Sequence, residues 1–119
     1  MPIIKVDQLP WSEIAHELVG DDHGLGITLL FVEAEPGRGP TLHRHPYAEM
    51  LIVQEGEADL TLDGERHKAR PGDIVIVPPN QAHSFVNSGN RPLRQIDIHL
   101  SPSFSTEWLE DRDEQGADA

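Results

Sequence analysis

The stretch TLHRHPYAEM, residues 41–50, carries two histidines separated by one residue and a glutamate four positions further on. In a β-strand side chains alternate faces, so His43 and His45 point the same way. Pro46 has no N–H to give to a sheet, so the strand is expected to end there. The segment PYA then makes the turn, and Glu49 opens the returning strand beside the histidines. Two imidazoles and a carboxylate gathered in this way form a donor set for a divalent metal, each at about 2.0–2.2 Å from a zinc-like ion. The spacing also leaves a second reading open, a solvated His-x-His on a surface strand that binds nothing.

The elements that must position these residues are short. From Gly24 onward, β-prone runs alternate with turn signals: GITLLFVEA before EPGRGP, TLHRH before PYA, EMLIVQ before EGE, and ADLTL before DGE. DIVIVP before PNQA, HSFVN before SGNRP, and LRQIDIHL before SPS continue the series. Asp63–Gly64 and Ser88–Gly89–Asn90 suit hairpins. Strands this short and frequent predict an all-β sandwich or barrel over residues 24–104. No helical pattern interleaves them, which argues against a parallel βαβ sheet. Residues 1–23 are expected to hold a short strand, Ile3 to Val6, and a short helix capped by Ser12, packed on the barrel. Residues 105–119 read as an acidic tail that starts as a helical turn and then frays, partly disordered.

The chain has 119 residues, enough for one core and too few for two. It has no cysteine, which removes disulfides, thiolate metal sites and cysteine nucleophiles. Its net charge of −12, with no basic patch, argues against nucleic acid as a partner. No apolar run approaches the roughly 20 residues that cross a bilayer. The N-terminus lacks a basic region followed by an apolar one, so no secretory signal is expected, and the simplest location is the cytoplasm.

Two longer patterns enclose the histidines. The first runs Gly37, five residues, His43, one residue, His45, three residues, Glu49, six residues, Gly56. The second runs Gly72, five residues, Pro78, one residue, Asn80, two residues, His83, three residues, Asn87. Together they resemble the two signatures of the cupin family, in its small single-domain form. One position departs: Asn80 stands where the family has glycine, and asparagine tolerates the left-handed backbone that glycine serves there. The resemblance implies a double-stranded β-helix, a small jelly-roll barrel. It also implies that His43, His45, Glu49 and His83 converge on one divalent transition metal, which Fe, Mn, Co, Ni, Cu or Zn would each satisfy. A metalloenzyme acting on a small organic substrate follows, a dioxygenase-like oxidoreductase ahead of an isomerase or lyase. Two alternatives stand beside it: a non-catalytic protein that binds a small molecule through its metal, and a subunit or sensor acting through a partner.

Alternation places other residues near this set. Phe85 shares a face with His83, and Leu51 and Val53 share one with Glu49, so these line the expected pocket or simply fill the core. In RQIDIHL, Gln95, Asp97 and His99 form one face and Ile96, Ile98 and Leu100 the other. The polar face belongs either to solvent or to the pocket; in the second case His99 or Asp97 is the candidate general base or a partner behind a ligand. Tyr47 is a turn aromatic or a cover for the pocket mouth. Arg44 faces away from the metal toward a surface ion pair. His16, His23 and His67 fall in expected loops and carry no assigned role. Phe104 and Trp108 are expected to dock on the body or on a second subunit. A homodimer is expected, with the strand at Ile3 to Val6 adding to a neighbouring sheet.

Overall fold

The structure, a computed structural model, describes residues 2–110. Eleven strands are found among them: β1 (Trp11–Ser12), β2 (Ala15–Leu18), β3 (Thr28–Ala34), β4 (His43–Arg44), β5 (Glu49–Glu55), β6 (Ala58–Leu62), β7 (Glu65–Ala69), β8 (Ile74–Val77), β9 (His83–Asn87), β10 (Leu93–His99) and β11 (Glu107–Trp108). They form two antiparallel sheets, ordered β1-β2-β3-β10-β5-β8 and β11-β4-β9-β6-β7. The all-β expectation stands. Among the described residues no helix is long and apolar enough to cross a membrane.

Alternation fills the space between the sheets. Leu30 and Val32 of β3, Leu51 and Val53 of β5, Leu60 of β6, Val77 of β8, Phe85 of β9 and Leu93 of β10 are all buried in one cluster. The interior changes character along each strand. On β10 it runs from Leu93 through Gln95 and Asp97 to His99, all buried, and on β5 from Val53 and Leu51 to Glu49. The register pairs His99 with Glu49, and His83 with His43. One end of the barrel is therefore apolar and the other carries imidazoles and a carboxylate.

Turn chemistry explains the connections. Asp63 (φ 49°) and Gly64 (φ 84°) make the β6–β7 hairpin, as Asp-Gly predicts. Asn80 takes φ 66°, the left-handed conformation anticipated for it, and its N–H donates to the His45 carbonyl at 2.7 Å. The second signature is thereby tied to the first. Gly39 is required for another reason: a Cβ there would collide with the Phe85 carbonyl. We expect Gly39→Ala to cost ~3 kcal/mol, read as a lowered urea midpoint. A midpoint equal to that of the wild type would show that the two segments can separate freely.

Several expectations are corrected. Residues 3–5 form no strand, and Val6–Gln8 is a 3-10 turn. No helix begins at Ser12; residues 11–18 form β1 and β2, which extend the larger sheet, so the segment is part of the barrel wall. Ile14 and Ala15 are fully buried, and that burial outweighs the capping signal. His16 lies on β2 and His67 on β7, not in loops. The charged run ERHKA, not anticipated as a strand, forms β7 at a sheet edge with only Ala69 buried. The Ser88–Gly89–Asn90 turn joins strands of different sheets and is no hairpin. Residues 107–108 form a strand in place of a helical turn, and the expected fraying of the tail past residue 110 lies outside the described residues.

Candidate metal centre

His43 and His45 are both buried, as alternation required. Glu49 reaches them by another route than a returning hairpin. β4 and β5 belong to different sheets, so the turn around Pro46 crosses the barrel and Glu49 faces the histidines from the opposite wall. His83 arrives on β9 beside β4, and His99 at the end of β10 beside β5. Five residues thus meet, in two overlapping triads that share His45. The donor atoms of His43, His45 and His83, and those of His45, Glu49 and His99, lie within 4.8 Å of one another.

The second nitrogen of each ring decides what the first can do. His43 Nδ1–H donates to the Thr41 carbonyl at 2.7 Å, and His83 Nδ1–H to the Gln81 carbonyl at 2.9 Å. His45 Nδ1–H donates to the Ser105 carbonyl at 3.0 Å. A carbonyl only accepts, so each proton sits on Nδ1 and each Nε2 presents a lone pair inward. Burial, and for His43 the neighbouring His83 ring, lowers its pKa from 6.5 to about 3. Burial likewise lowers His45 to about 4, partly offset by Glu49. Both are neutral at pH 7, as metal ligands must be. Burial alone would raise the Glu49 carboxyl; a proton between it and the facing His83 and His99 nitrogens reverses that and holds it below its usual range.

A cation fits this set. The buried Nε2 atoms of His43, His45 and His99 and Glu49 Oε2 have no hydrogen-bond partner. His83 Nε2 stands 3.1 Å from Glu49 Oε1, and His99 Nε2 3.2 Å from Glu49 Oε2. A bare lone pair at that distance from a carboxylate is repulsive unless a proton or a metal ion lies between. Three imidazoles and one carboxylate leave a divalent ion with charge +1, and the nitrogen-rich set accommodates the later transition metals.

The remaining predicted residues fall into two groups. Phe85, Leu51 and Val53 join the buried apolar cluster behind the site. Gln95, Asp97 and His99 are all buried, which removes the solvent reading of that face. The Gln95 amide donates to Asp97 Oδ1 at 2.7 Å. Tyr47 places its hydroxyl 2.7 Å from His99 Nδ1 and stacks on the His45 ring. Arg44 faces outward and pairs with Glu107 at 2.7 Å.

Phe104 and Trp108 dock on the body, one of the two alternatives expected for them; sequence reasoning did not place them at the site histidines. Phe104 meets the His99 ring edge-on at 5.3 Å, and Trp108 lies 5.0 Å from the His43 ring. The Ser105 carbonyl orients His45, and β11 pairs with β4. The signal was there in the two aromatics of an otherwise polar tail. A groove of about 260 Å³ lined by Arg44, Pro46, Asn80 and Thr106 reaches His45 from outside. Another groove, about 670 Å³ between Glu33, Gln54 and Arg91, includes none of the five metal-facing residues.

Asp97 gives a pH prediction. Burial first, and then the Glu49 charge, push its carboxyl well above its ordinary value of 3.8. A group so raised keeps its proton in the fold and loses it in the unfolded chain. Its stabilising share is complete below 3.8 and is lost as pH rises through the folded value. Metal-free Asp97→Asn should therefore melt above the wild type at pH 7, by ~5 °C or more, with the gap closing toward pH 4. A gap that does not change with pH would show that Asp97 is ionised in the fold.

The two-walled β-barrel and its inward histidines define a class. The chain belongs to the cupin family: the model described as "Cupin domain" matches residues 30–99. An uncharacterized conserved protein with a double-stranded beta-helix domain from Klebsiella pneumoniae shares the fold, at TM-score 0.74 and 24% identity, over 93% of this chain and 99% of that one. Oxalate decarboxylase from Bacillus subtilis matches at TM-score 0.74 and 26% identity, over 87% of this chain and 30% of its own. Among curated relatives, "Polyketide synthase CurC" of Streptomyces cyaneus is 37% identical over 56% of this chain and 44% of its own. Gentisate 1,2 dioxygenase 1 of Aquipseudomonas alcaligenes is 33% identical over 63% and 23%. The chain thus spans less than half the length of these two relatives.

Proposed function

We propose that the chain is a metal-dependent enzyme acting on a small organic molecule, of the dioxygenase kind. The observation that carries this reading is the buried cluster around Glu49, in which the Nε2 atoms of His43, His45 and His99 and Glu49 Oε2 have no hydrogen-bond partner. His43, His45, Glu49 and His83 would hold the ion. A bound divalent metal supplies a Lewis acid and, if redox-active, a means of activating dioxygen. The chain's own residues do the rest. Thr41, Gln81 and Ser105 carbonyls orient three rings, and Leu51, Val53 and Phe85 close the inner side with apolar side chains. The gentisate dioxygenase and oxalate decarboxylase relatives support an oxidative or decarboxylating reaction on a small acid.

The test is oxygen uptake by Fe(II)-loaded protein with gentisate, catechols, diketones and flavonols. Uptake that depends on one of these and on His43 is expected. The closed interior, with all five metal-facing residues buried, favours one other reading, a non-catalytic protein that anchors a small acid through its metal. Micromolar binding of such an acid with no turnover of any candidate would replace the enzyme reading with that one.

We further propose that the chain works as a homodimer through the outer face of the larger sheet. Two ladders cross it: Leu18, Leu29, Ile98, Met50 and Ile76, and His16, Phe31, Ile96, Ile52 and Ile74. Ile74 and Ile76 are 62% and 66% exposed. No acid interrupts the ladders in a chain of charge −12, so this is the face that a second, equally acidic copy can approach without repulsion. A two-fold contact sets the same patch against itself, which an uncharged apolar patch permits. Light scattering should give twice the chain mass, and Ile76→Glu should give a monomer. A wild-type monomer at ~100 μM, above the dissociation constants of most stable complexes, would remove the proposal.

A further inference from the structure

We propose that His99, outside both signatures, is a fifth metal ligand, held in place by Tyr47. The inference rests on the metal reading above and adds to it a residue that the four-ligand set does not contain.

His99 is fully buried, 0% exposed. A histidine retained for packing alone satisfies both ring nitrogens when buried. His99 satisfies one. Its Nδ1 meets the Tyr47 hydroxyl at 2.7 Å, while its Nε2 has no hydrogen-bond partner. That nitrogen faces Glu49 Oε2 at 3.2 Å, just as His83 Nε2 faces Oε1 at 3.1 Å. The carboxylate is thus strung between two imidazoles that approach it alike, and only one of them belongs to the expected set. With His45 and Glu49, His99 also completes a triad of two nitrogens and one carboxylate, a donor set suited to Fe(II). Phe104, edge-on to the ring, limits how far it can swing away.

Tyr47 is the positioning residue. We assign the His99 ring proton to Nδ1, so that the Tyr47 hydroxyl accepts it and Nε2 is left bare and aimed inward. The Tyr47 ring stacks on His45, so one side chain braces both members of the triad. The consequence is chemical. Five protein donors leave a six-coordinate ion one position for an outside molecule, where four leave two. An outside ligand then binds through a single donor atom, or must displace His99 to chelate.

Cobalt(II) tests this without any turnover. Its visible absorption reports coordination, and chelator competition reports affinity. Wild type, His99→Ala, His99→Leu, Tyr47→Phe and the surface control His67→Ala are each loaded with Co(II), with folding checked by circular dichroism. Both His99 variants should still bind one Co(II) per chain, at least ~10-fold more weakly, with an altered spectrum. Tyr47→Phe should weaken binding in the same direction and less. His67→Ala should match the wild type. Folded His99 variants with the wild-type spectrum and affinity would overturn the proposal, leaving the four-ligand reading intact. A wild-type protein that takes up no Co(II) would overturn both, and the two failures are distinguishable on that control alone.

Discussion

His45→Ala should strip the protein of most of its metal, weakening affinity by at least ~100-fold. Among the described residues His45 alone belongs to both triads. Its ring is buried, its Nδ1 proton is committed to the Ser105 carbonyl, and its low pKa keeps it neutral where ligands are needed. Removing it takes one donor from each triad and leaves Glu49 with one fewer partner for its charge. His83→Ala should act in the same direction, since it removes the nitrogen facing Glu49 Oε1. Metal per chain by elemental analysis, measured beside circular dichroism, separates lost ligation from lost fold. Unchanged metal content in both folded variants would mean that the cluster binds no ion.

Removing residues 104–119 should have the next largest effect. Four contacts with the site are lost together: Phe104 on His99, the Ser105 carbonyl on His45, Trp108 on His43, and the pairing of β11 with β4. The Arg44–Glu107 pair also goes, but both partners are largely solvated and it contributes little. Three of these contacts fall on three different candidate ligands, so the segment orients them as outer partners of a metal site do. The truncated chain should lose its metal to a chelator at least ~10-fold faster than the full chain, and should melt earlier. Trp108→Ala alone should give an intermediate rate. Equal release rates for all three chains would make the segment a bystander.

The fold was legible in the chain because short alternating runs and Asp-Gly or Asn turns carry their own geometry. Asn80 shows how far this reaches: a departure from the glycine pattern was read as a tolerated left-handed turn, and it adopts φ 66°. Alternation also placed His43 and His45 on one buried face. It could not say which sheet each strand joins. For that reason Glu49 was expected on a hairpin beside the histidines and instead faces them across the barrel. Alternation was equally silent on which face of β10 is interior. The polar face won because the opposite face, Ile96 and Ile98, extends an apolar outer surface, while Asp97 and His99 find buried partners. The N-terminal segment was misread since Ser12 gives a capping signal, whereas burial of Ile14 and Ala15 requires strands. In the closing segment the docking of the two aromatics was legible, whereas the strand at Glu107–Trp108 was expected as a helical turn because pairing with β4 leaves no signal in a two-residue stretch.

One measurement bears most directly on the central claim. Crystals of metal-loaded protein, recorded at the absorption edge of the bound element, locate that ion by anomalous scattering. The account predicts a single peak in the barrel interior within about 2.0–2.3 Å of His43, His45 and His83 Nε2 and a Glu49 oxygen. A protein that carries its metal elsewhere, with those three rings still closed around an empty centre, would contradict it.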